Sequence, residues 1–494
     1  MVRFLITMNF HCISIAVPLH FNKFFMPLHI FNSLTRQKEE FVPQQGKTVK
    51  MYTCGVTVYD QCHIGHGRSL YIFDVIRRYL KFRGYDVQFV RNITDVDDKI
   101  INKANELKKT SQQVSEDEIR AYYEDLKLLG VAPGDVEPKA TENIPEMIKH
   151  IEGLIGKGMA YAVDGDVYFN VRKFSGYGKL SGQSIDKMLE AVRIEKGDKK
   201  KDPLDFALWK KSKEGEPEWQ SPWGAGRPGW HIECSCMSMK HLHTETLDIH
   251  AGGRDLIFPH HENEIAQSEG LTGKQFAKYW IHHGLLTING QKMSKSLGNF
   301  ITIKNAVEKY GVDTLKLFFL FSHYASAIDF NEEKINEAKK ALDRFDILFW
   351  KAYQIIKDKS LYQTTKNVDF VEKAKQSFIE ALDDDFNTPK ALAVLFDLIS
   401  ETHKYIDAGK RHDDYEGVIF TAVNAIEEHA SQILGLFSRE KDKKLTPELE
   451  ALLAERQAAR DSKNFKRSDE LRDLLKEKGV AVEDTKNGQT WRWI

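Results

Sequence analysis

Between Val49 and Leu107 the sequence changes period three times, and this alternation constrains the fold more than any other feature. Val49–Cys54 reads as a short strand ending at Gly55, and a helix starts near His66 and runs through Ser69–Leu80 to stop before Gly84. Val87–Arg91 is a second strand, and its Asn92–Asp98 loop leads into a helix over Lys99–Leu107. Strand, helix, strand at this spacing is one βαβ unit, whose long crossover requires the strands to lie parallel. The same style resumes at 226–300, where Leu247–His250 reads as a strand and Glu262–Ser268 as a helix. Tyr279–Ile288 reads as one further strand ending at the turn dipeptide Asn289-Gly290. Residues 145–225 differ: they carry a strand-like Val167–Val171, many glycines and a lysine-rich Glu195–Lys201 that reads as a mobile solvated loop. The simplest organisation is a nucleotide-binding sheet over 26–144 and 226–330, split by a connective insertion at 145–225.

Downstream, apolar residues recur at helical spacing (Ala341, Phe345, Leu348, Phe349, then Leu392, Leu395, Leu398), so 331–439 reads as an all-helical bundle. A charged linker, Lys441–Lys444, precedes a small α+β domain at 440–494. It consists of helices over Glu448–Arg460 and Lys466–Lys478, then a hairpin of Val480–Val482 and Thr490–Ile494 around Asn487-Gly488. Domains usually run to about 100–200 residues, so 494 residues accommodate this division. With 71 basic against 72 acidic side chains, wholesale electrostatic capture of nucleic acid is excluded, and any such contact needs a local basic face. Five cysteines in so long a chain fit free thiols of a reducing, cytoplasmic compartment better than a disulfide scaffold. Residues 1–25 are apolar and aromatic, but Asn9, His11 and Ser14 interrupt the run and no small-x-small cleavage site follows. They read as an N-terminal extension outside the fold, with Met26 as the start, and no other segment resembles a membrane span.

Two short motifs carry chemistry. His63-Ile64-Gly65-His66 opens the first helix, where backbone amides attract anions and two imidazoles can donate hydrogen bonds to phosphate oxygens. Gly65 lets a nucleotide approach the backbone closely. Lys292-Met293-Ser294-Lys295-Ser296 follows the Asn289-Gly290 turn, and lysines there can neutralise charge as pyrophosphate leaves. Either motif alone is matched by a bland reading, a pair of turn histidines or a solvated lysine loop. Together, in this order and each after a predicted strand, they resemble the paired signatures of class I aminoacyl-tRNA synthetases.

Candidate metal ligands are more scattered. Cys54 ends the first strand, where open α/β sheets bind ligands, and His260 and Glu264 are spaced to share one helical face. Cys234 or Cys236 could join them, and each residue alone has an ordinary structural explanation. Spacing does not assemble the set. Three stretches, Met51–Asp60, Gly226–Cys234 and Asp248–Glu264 with its Phe258–Glu264 core, resemble the bacterial cysteinyl-tRNA synthetase family, supported by Arg91–Asp98 and Asp202–Lys210. The resemblance runs from about Met26 to Ile494. It implies a Rossmann-like parallel-sheet catalytic domain, and it implies that Cys54, Cys234, His260 and Glu264 hold Zn²⁺, leaving Cys236, Cys62 and Cys12 aside. It further implies ATP binding by His63, Gly65, His66 and Lys295, catalysis by His63, His66, Lys292 and Lys295, and substrate contacts at Trp230, His250 and Asp255.

The expected reaction is activation of L-cysteine with ATP (and its Mg²⁺) and transfer to tRNA(Cys), by a monomer. Zinc would select a thiol over the near-isosteric hydroxyl of serine, which pocket size separates poorly. The tail would read the anticodon: from Arg456 onward it holds 10 Lys/Arg against 7 Asp/Glu, with Phe465 and Trp491 able to stack on bases. For Trp491 a core role is an equal expectation. The alternatives are the mycothiol-pathway cysteine ligase, which lacks an anticodon-binding portion, and a zinc-stabilised RNA-binding protein without catalysis.

Overall fold

The computed structural model describes residues 26–185, 188, 199–356, 367–409, 414–437, 446–485 and 488–493. The chain divides into two compact units, one over Asn22–Ser438 and the other containing Arg439–Ile494.

In the larger unit a hairpin of β1 (His29–Asn32) and β2 (Gln37–Glu40) precedes the βαβ unit. This consists of β3 (Thr48–Thr53), α1 (Ile64–Phe82) and β4 (Asp86–Arg91), with β3 and β4 parallel from Thr48↔Asp86 to Thr53↔Arg91. α1 begins two residues earlier than its apolar period predicts, because His63 caps it. Next come α2 (Asp98–Leu107) and α3 (Ser111–Leu129), the latter opened by a Thr110/Gln113 capping box.

The insertion has more order than its sequence pattern conveys. α4 (Ile144–Gly156) packs Met147, Ile151 and Leu154 into one core with Val167, Phe169, Leu208 and Trp209. Those residues belong to an antiparallel sheet in the order β5 (Ala160–Val163), β6 (Asp166–Phe169), β7 (Phe206–Lys211), β8 (Gly226–Pro228). The strand expected over Val167–Val171 therefore ends two residues sooner, in a 3₁₀ turn at Val171–Lys173. Most of the predicted Glu195–Lys201 loop lies outside the described residues.

The chain then returns to the central sheet through α5 (Trp230–His241), β9 (Leu247–Gly253), α6 (Glu262–Thr272) and β10 (Ala277–His283). The sheet order is β10-β9-β3-β4, all parallel, and every residue of the central β9 is buried. The strand expected over Tyr279–Ile288 is in fact two. It breaks at Gly284, where a Cβ would lie 2.1 Å from the Ser326 carbonyl oxygen. Beyond the break β11 (Leu286–Ile288) joins a separate sheet with β12 (Gln291–Lys292) and β13 (Ile328–Phe330). The Asn289-Gly290 turn is as predicted, with both residues at positive φ, and it joins β11 to β12.

Helices α7 (Ile303–Tyr310), α8 (Val312–Leu320), α9 (Glu332–Ile355), α10 (Asp369–Asp383), α11 (Thr388–Asp407) and α12 (Tyr415–Glu428) complete this unit. The helical period holds: Phe345, Leu348, Leu392, Leu395 and Leu398 are buried, while Ala341 and Phe349 lie half-buried at the edge of the apolar stripe. The C-terminal unit contains α13 (Pro447–Asp461), α14 (Phe465–Glu477) and an antiparallel hairpin of β14 (Val480–Thr485) and β15 (Gly488–Trp493). Leu449, Leu453, Leu475, Val480 and Val482 form its core. Among the described residues no helix is long and apolar enough to cross a membrane.

Candidate metal centre and phosphate-binding site

Four elements of the sheet's carboxyl end converge on one buried cluster. Cys54 follows β3, Cys234 sits in the second turn of α5, His260 precedes α6, and Glu264 lies in its first turn. One donor atom from each lies within 4.8 Å of all the others. Cys54 Sγ is 3.8 Å from Cys234 Sγ and 3.5 Å from Glu264 Oε1, and His260 Nε2 is 3.1 Å from the same oxygen. A tetrahedral zinc with Zn–S of about 2.3 Å and Zn–N/O of about 2.0–2.1 Å requires S···S, S···O and N···O edges of about 3.8, 3.5 and 3.3 Å. The donor set and its edges both fit that ion.

Electrostatics agree. Burial pushes the Cys54 and Cys234 thiols and the Glu264 carboxyl up, and pushes the His260 imidazole well down. Two neutral thiols, a neutral carboxyl and a neutral imidazole are the cheap state without a cation. A divalent ion reverses the preference, favouring thiolate and carboxylate as donors.

The surrounding contacts orient these ligands. His260 Nδ1 is 2.9 Å from His231 Nδ1, and its ring stacks under Trp230 at 4.1 Å. His250 is fully buried, with Nε2 2.8 Å from Glu264 Oε2 and its ring stacked on Trp280, so it holds the carboxylate oxygen that the ligand cluster does not use. Trp230 remains 36% exposed beside the cluster, and Asp255 is exposed on the turn after β9. A second arrangement, Cys54, His250, His261 and Glu264, also brings its donor atoms together. His261 Nε2 lies 3.3 Å from Cys54 Sγ but 4.0 Å from Glu264 Oε1, well beyond the N···O edge of about 3.3 Å. The first arrangement matches the tetrahedral edges better. Cys236 is in neither: it is buried in the insertion's core, and Cys62 is likewise buried elsewhere, while Cys12 lies outside the described residues.

The phosphate motif is built differently from its sequence-based expectation. His63 is the N-cap of α1, its Nδ1 accepting from the Gly65 and His66 amides at 3.0 and 3.3 Å. His66 Nδ1 in turn accepts from the His63 amide at 3.3 Å. The Ile64 amide donates to the Ile301 carbonyl and the Gly67 amide to the His63 carbonyl. The helix N-terminus thus has no free amide to offer an anion, contrary to expectation. The capping bonds fix what replaces it: with Nδ1 accepting, each neutral ring carries its proton on Nε2. Burial lowers the His63 pKa, and burial beside His63 lowers that of His66 to about 3, so both stay neutral donors near pH 7. The rings stack at 3.8 Å.

The lysine motif lies alongside. Residues 62–64 and 301–303 pair through backbone bonds from Ile64 to Ile301 and from Ile303 to Cys62. Lys295 forms an ion pair with Asp60 and lies over the Phe300 ring, whose edge meets His63 at 5.5 Å. Lys292 is exposed on β12. The structure therefore brings His63, Gly65, His66 and Lys295 together and leaves Lys292 at the rim. Asp60, Arg68, His261 and Asn92, whose Oδ1 accepts from the Gly55 amide at 2.8 Å and lies 3.6 Å from Cys234 Sγ, were not foreseen as site residues. Their roles depend on non-local partners, and no spacing signal marks them.

In the C-terminal unit Phe465 is 59% exposed at the start of α14, available for stacking. Trp491 is half-buried and packs against the Leu449–Val482 core.

Comparison with known proteins agrees with this construction. Residues 40–340 match the family described as tRNA synthetases class I (C) catalytic domain, 377–438 match the DALR domain, and 442–492 match the Cysteinyl-tRNA ligase anticodon binding domain. A cysteine–tRNA ligase of Sulfurihydrogenibium sp. is 49% identical over 94% of this chain and 100% of its own length. One from Aquifex aeolicus is 47% identical over 94% of this chain and 99% of its own. Among solved structures, Mycobacterium tuberculosis methionyl-tRNA synthetase in complex with methionyl-adenylate superposes with a TM-score of 0.62 at 14% identity, covering 79% of this chain and 92% of that one, a likeness of fold.

Proposed function

Because the chain belongs to the cysteinyl-tRNA synthetase family of class I aminoacyl-tRNA synthetases, we propose that its ligase reaction runs on cysteine held at Cys54, Cys234, His260 and Glu264 through one zinc ion. The observation carrying this reading is the match between the four donor atoms and tetrahedral zinc edges. Zinc there supplies Lewis acidity that stabilises a bound thiolate far better than an alcohol, so cysteine is separated from serine by acidity instead of size. Trp230, stacked over His260, and Asp255 border the space for the substrate. His250, 2.8 Å from Glu264 Oε2, would hold that carboxylate in place while Oε1 faces the ion.

Activation needs no protein base. The cysteine carboxylate attacks the α-phosphorus of ATP, the bond from that phosphorus to the bridging oxygen breaks, and pyrophosphate leaves; Mg²⁺ carried by ATP would share its charge. Charge that builds on the phosphates is met by Nε2–H of His63 and His66 and by Lys295, with Lys292 supporting the loop. A terminal ribose hydroxyl of tRNA(Cys) then attacks the cysteinyl carbonyl and AMP departs. Residues 26–144 and 226–330 form the catalytic domain with 145–225 as its connective insertion, 331–439 forms the helical bundle, and 440–494 reads the anticodon with Phe465. The protein works as a monomer in the cytoplasm, where reduced thiols persist as ligands. The anticodon-domain match over 442–492 speaks against the amino-sugar ligase reading.

The test is pyrophosphate exchange driven by cysteine or serine, with metal analysis of the same sample. Exchange with cysteine alone and about one zinc per chain are expected. Equal exchange with serine, or full activity without zinc, would overturn the assignment.

A further inference from the structure

Arg68 is one of the largest fully buried side chains in the protein, two residues beyond His66 on α1. Its guanidinium has no carboxylate within ion-pair distance among the described residues. It donates instead to four backbone carbonyls: Nη1 to Gly284 at 2.7 Å and Leu285 at 3.1 Å, Nη2 to Tyr324 at 3.1 Å and Ser326 at 2.7 Å. Burying a cation without a counter-charge is costly, and packing alone would be better served by an apolar side chain. The arrangement needs a reason beyond filling space.

The identity of the four acceptors supplies it. Gly284 and Leu285 are the last residues before β11, and Tyr324 and Ser326 lie in the turn that leads into β13. Between these two points the chain runs through β11, β12, the lysine motif, α7 and α8, and both ends return to one guanidinium. The junction is tight: the Gly284 amide donates to the Tyr324 carbonyl at 2.9 Å, the Ile328 amide to Leu285 at 2.9 Å, and Gly284 has no room for a Cβ beside Ser326. β11 and β13 pair immediately beyond it, from Leu286↔Ile328. The segment carrying Lys292 and Lys295 is therefore gripped at its base by the helix whose first turn carries His63 and His66. A planar fork with fixed donor directions suits this task, and a lysine would not reproduce it.

We propose that Arg68 is a positioning residue for the activation step, fixing the base of the lysine segment relative to His63 and His66 so that both motifs face the same phosphates. This rests on the roles given above to those motifs. The prediction is specific to ATP: cysteine meets the zinc ligands that follow β3, lie on α5 and open α6, and transfer to tRNA follows after pyrophosphate has gone.

The experiment uses the full-length, zinc-loaded enzyme carrying Arg68→Lys, which keeps the charge and loses the fork, beside Gly284→Ala, which opens the same junction from the other side. Pyrophosphate exchange is measured against ATP and against cysteine, and transfer from preformed cysteinyl-adenylate to tRNA is followed in a single turnover. Misplacing reacting groups by about 1 Å costs on the order of 10²-fold. Both variants are expected to lose about that much in kcat/KM for ATP, with KM for cysteine, zinc content and the transfer rate within about twofold of the parent, as a defect confined to one step requires. Exchange that is unaltered in Arg68→Lys, or ATP, cysteine and transfer parameters falling together, would overturn the proposal. Failure of the underlying reading looks different: there Lys295→Ala in an unaltered Arg68 background would itself leave exchange intact.

Discussion

At the scale of single residues, the ligand cluster separates identity from placement. Cys54, Cys234, His260 and Glu264 were assembled by family resemblance because Cys54 and Glu264 stand 210 residues apart, and no periodicity spans that gap. Only the His260–Glu264 pair, four apart, was legible as sharing a helix face, and even that pair begins in the turn before α6. Replacing Cys234 with Ala removes one of the two sulfurs and leaves a buried three-donor site. Metal analysis should show zinc falling from about one per chain toward zero, with cysteine-dependent exchange lost in parallel. Lys295→Ala should lower exchange by about 10²–10³-fold, the usual cost of one donor to developing charge, with tRNA binding by gel shift retained. A second residue-scale consequence concerns His429, buried in the helical portion with Nδ1 donating to the Ala425 carbonyl at 2.8 Å. Burial lowers its pKa to about 4. The folded imidazole is thus neutral at pH 5, whereas the unfolded one, at about 6.5, has taken up a proton. Stability attached to this group is full above pH 6.5 and is lost as pH falls toward 4. Urea titrations should show His429→Gln about 2 kcal/mol less sensitive than the parent to a change from pH 7 to pH 5.

Among elements, the strands and helices of the central sheet were legible because each carries its own period, and the misses have local causes. α1 starts early because a cap, not an apolar residue, defines its beginning. Tyr279–Ile288 reads as one strand because aromatic, aliphatic and β-branched residues flank His282-His283-Gly284 on both sides, and the crowding at Gly284 divides it. α5 was not foreseen, since its small and sulfur-containing residues Cys234–Ser238 are buried without an apolar stripe. The cap at α1 offers a test that separates structure from chemistry. His63→Asn retains an acceptor for the Gly65 and His66 amides but lacks the Nε2 donor, so its melting temperature should stay near that of the parent while exchange collapses. His63→Ala removes both, and should cost about 1 kcal/mol of additional stability in the same denaturation assay.

For the whole molecule, the C-terminal unit has its own apolar core in Leu449, Leu453, Leu475, Val480 and Val482, whereas Cys54 and Cys234 belong to a core cluster of the larger unit. A chain ending at residue 439 should form cysteinyl-adenylate at the parental rate and charge tRNA poorly, measured by exchange and aminoacylation side by side. Unchanged charging would remove the anticodon role. Phe465 was legible as an exposed aromatic, whereas the even expectation for Trp491 resolves toward packing, since its ring lies against that core.

The separation of Cys54 from Glu264 also sets a clock. Ribosomes add about 5–20 residues per second, so the 210 residues between the first and last donor take on the order of 10–40 s to appear. Through that interval Cys54 emerges without Glu264, so the four-donor arrangement cannot form until α6 has been made. Metal supply to this enzyme is therefore a matter of when as well as how tightly. An ion bound to Cys54 before α6 emerges would have to take other donors, so the proposed four-ligand site is one that only a nearly finished chain can fill.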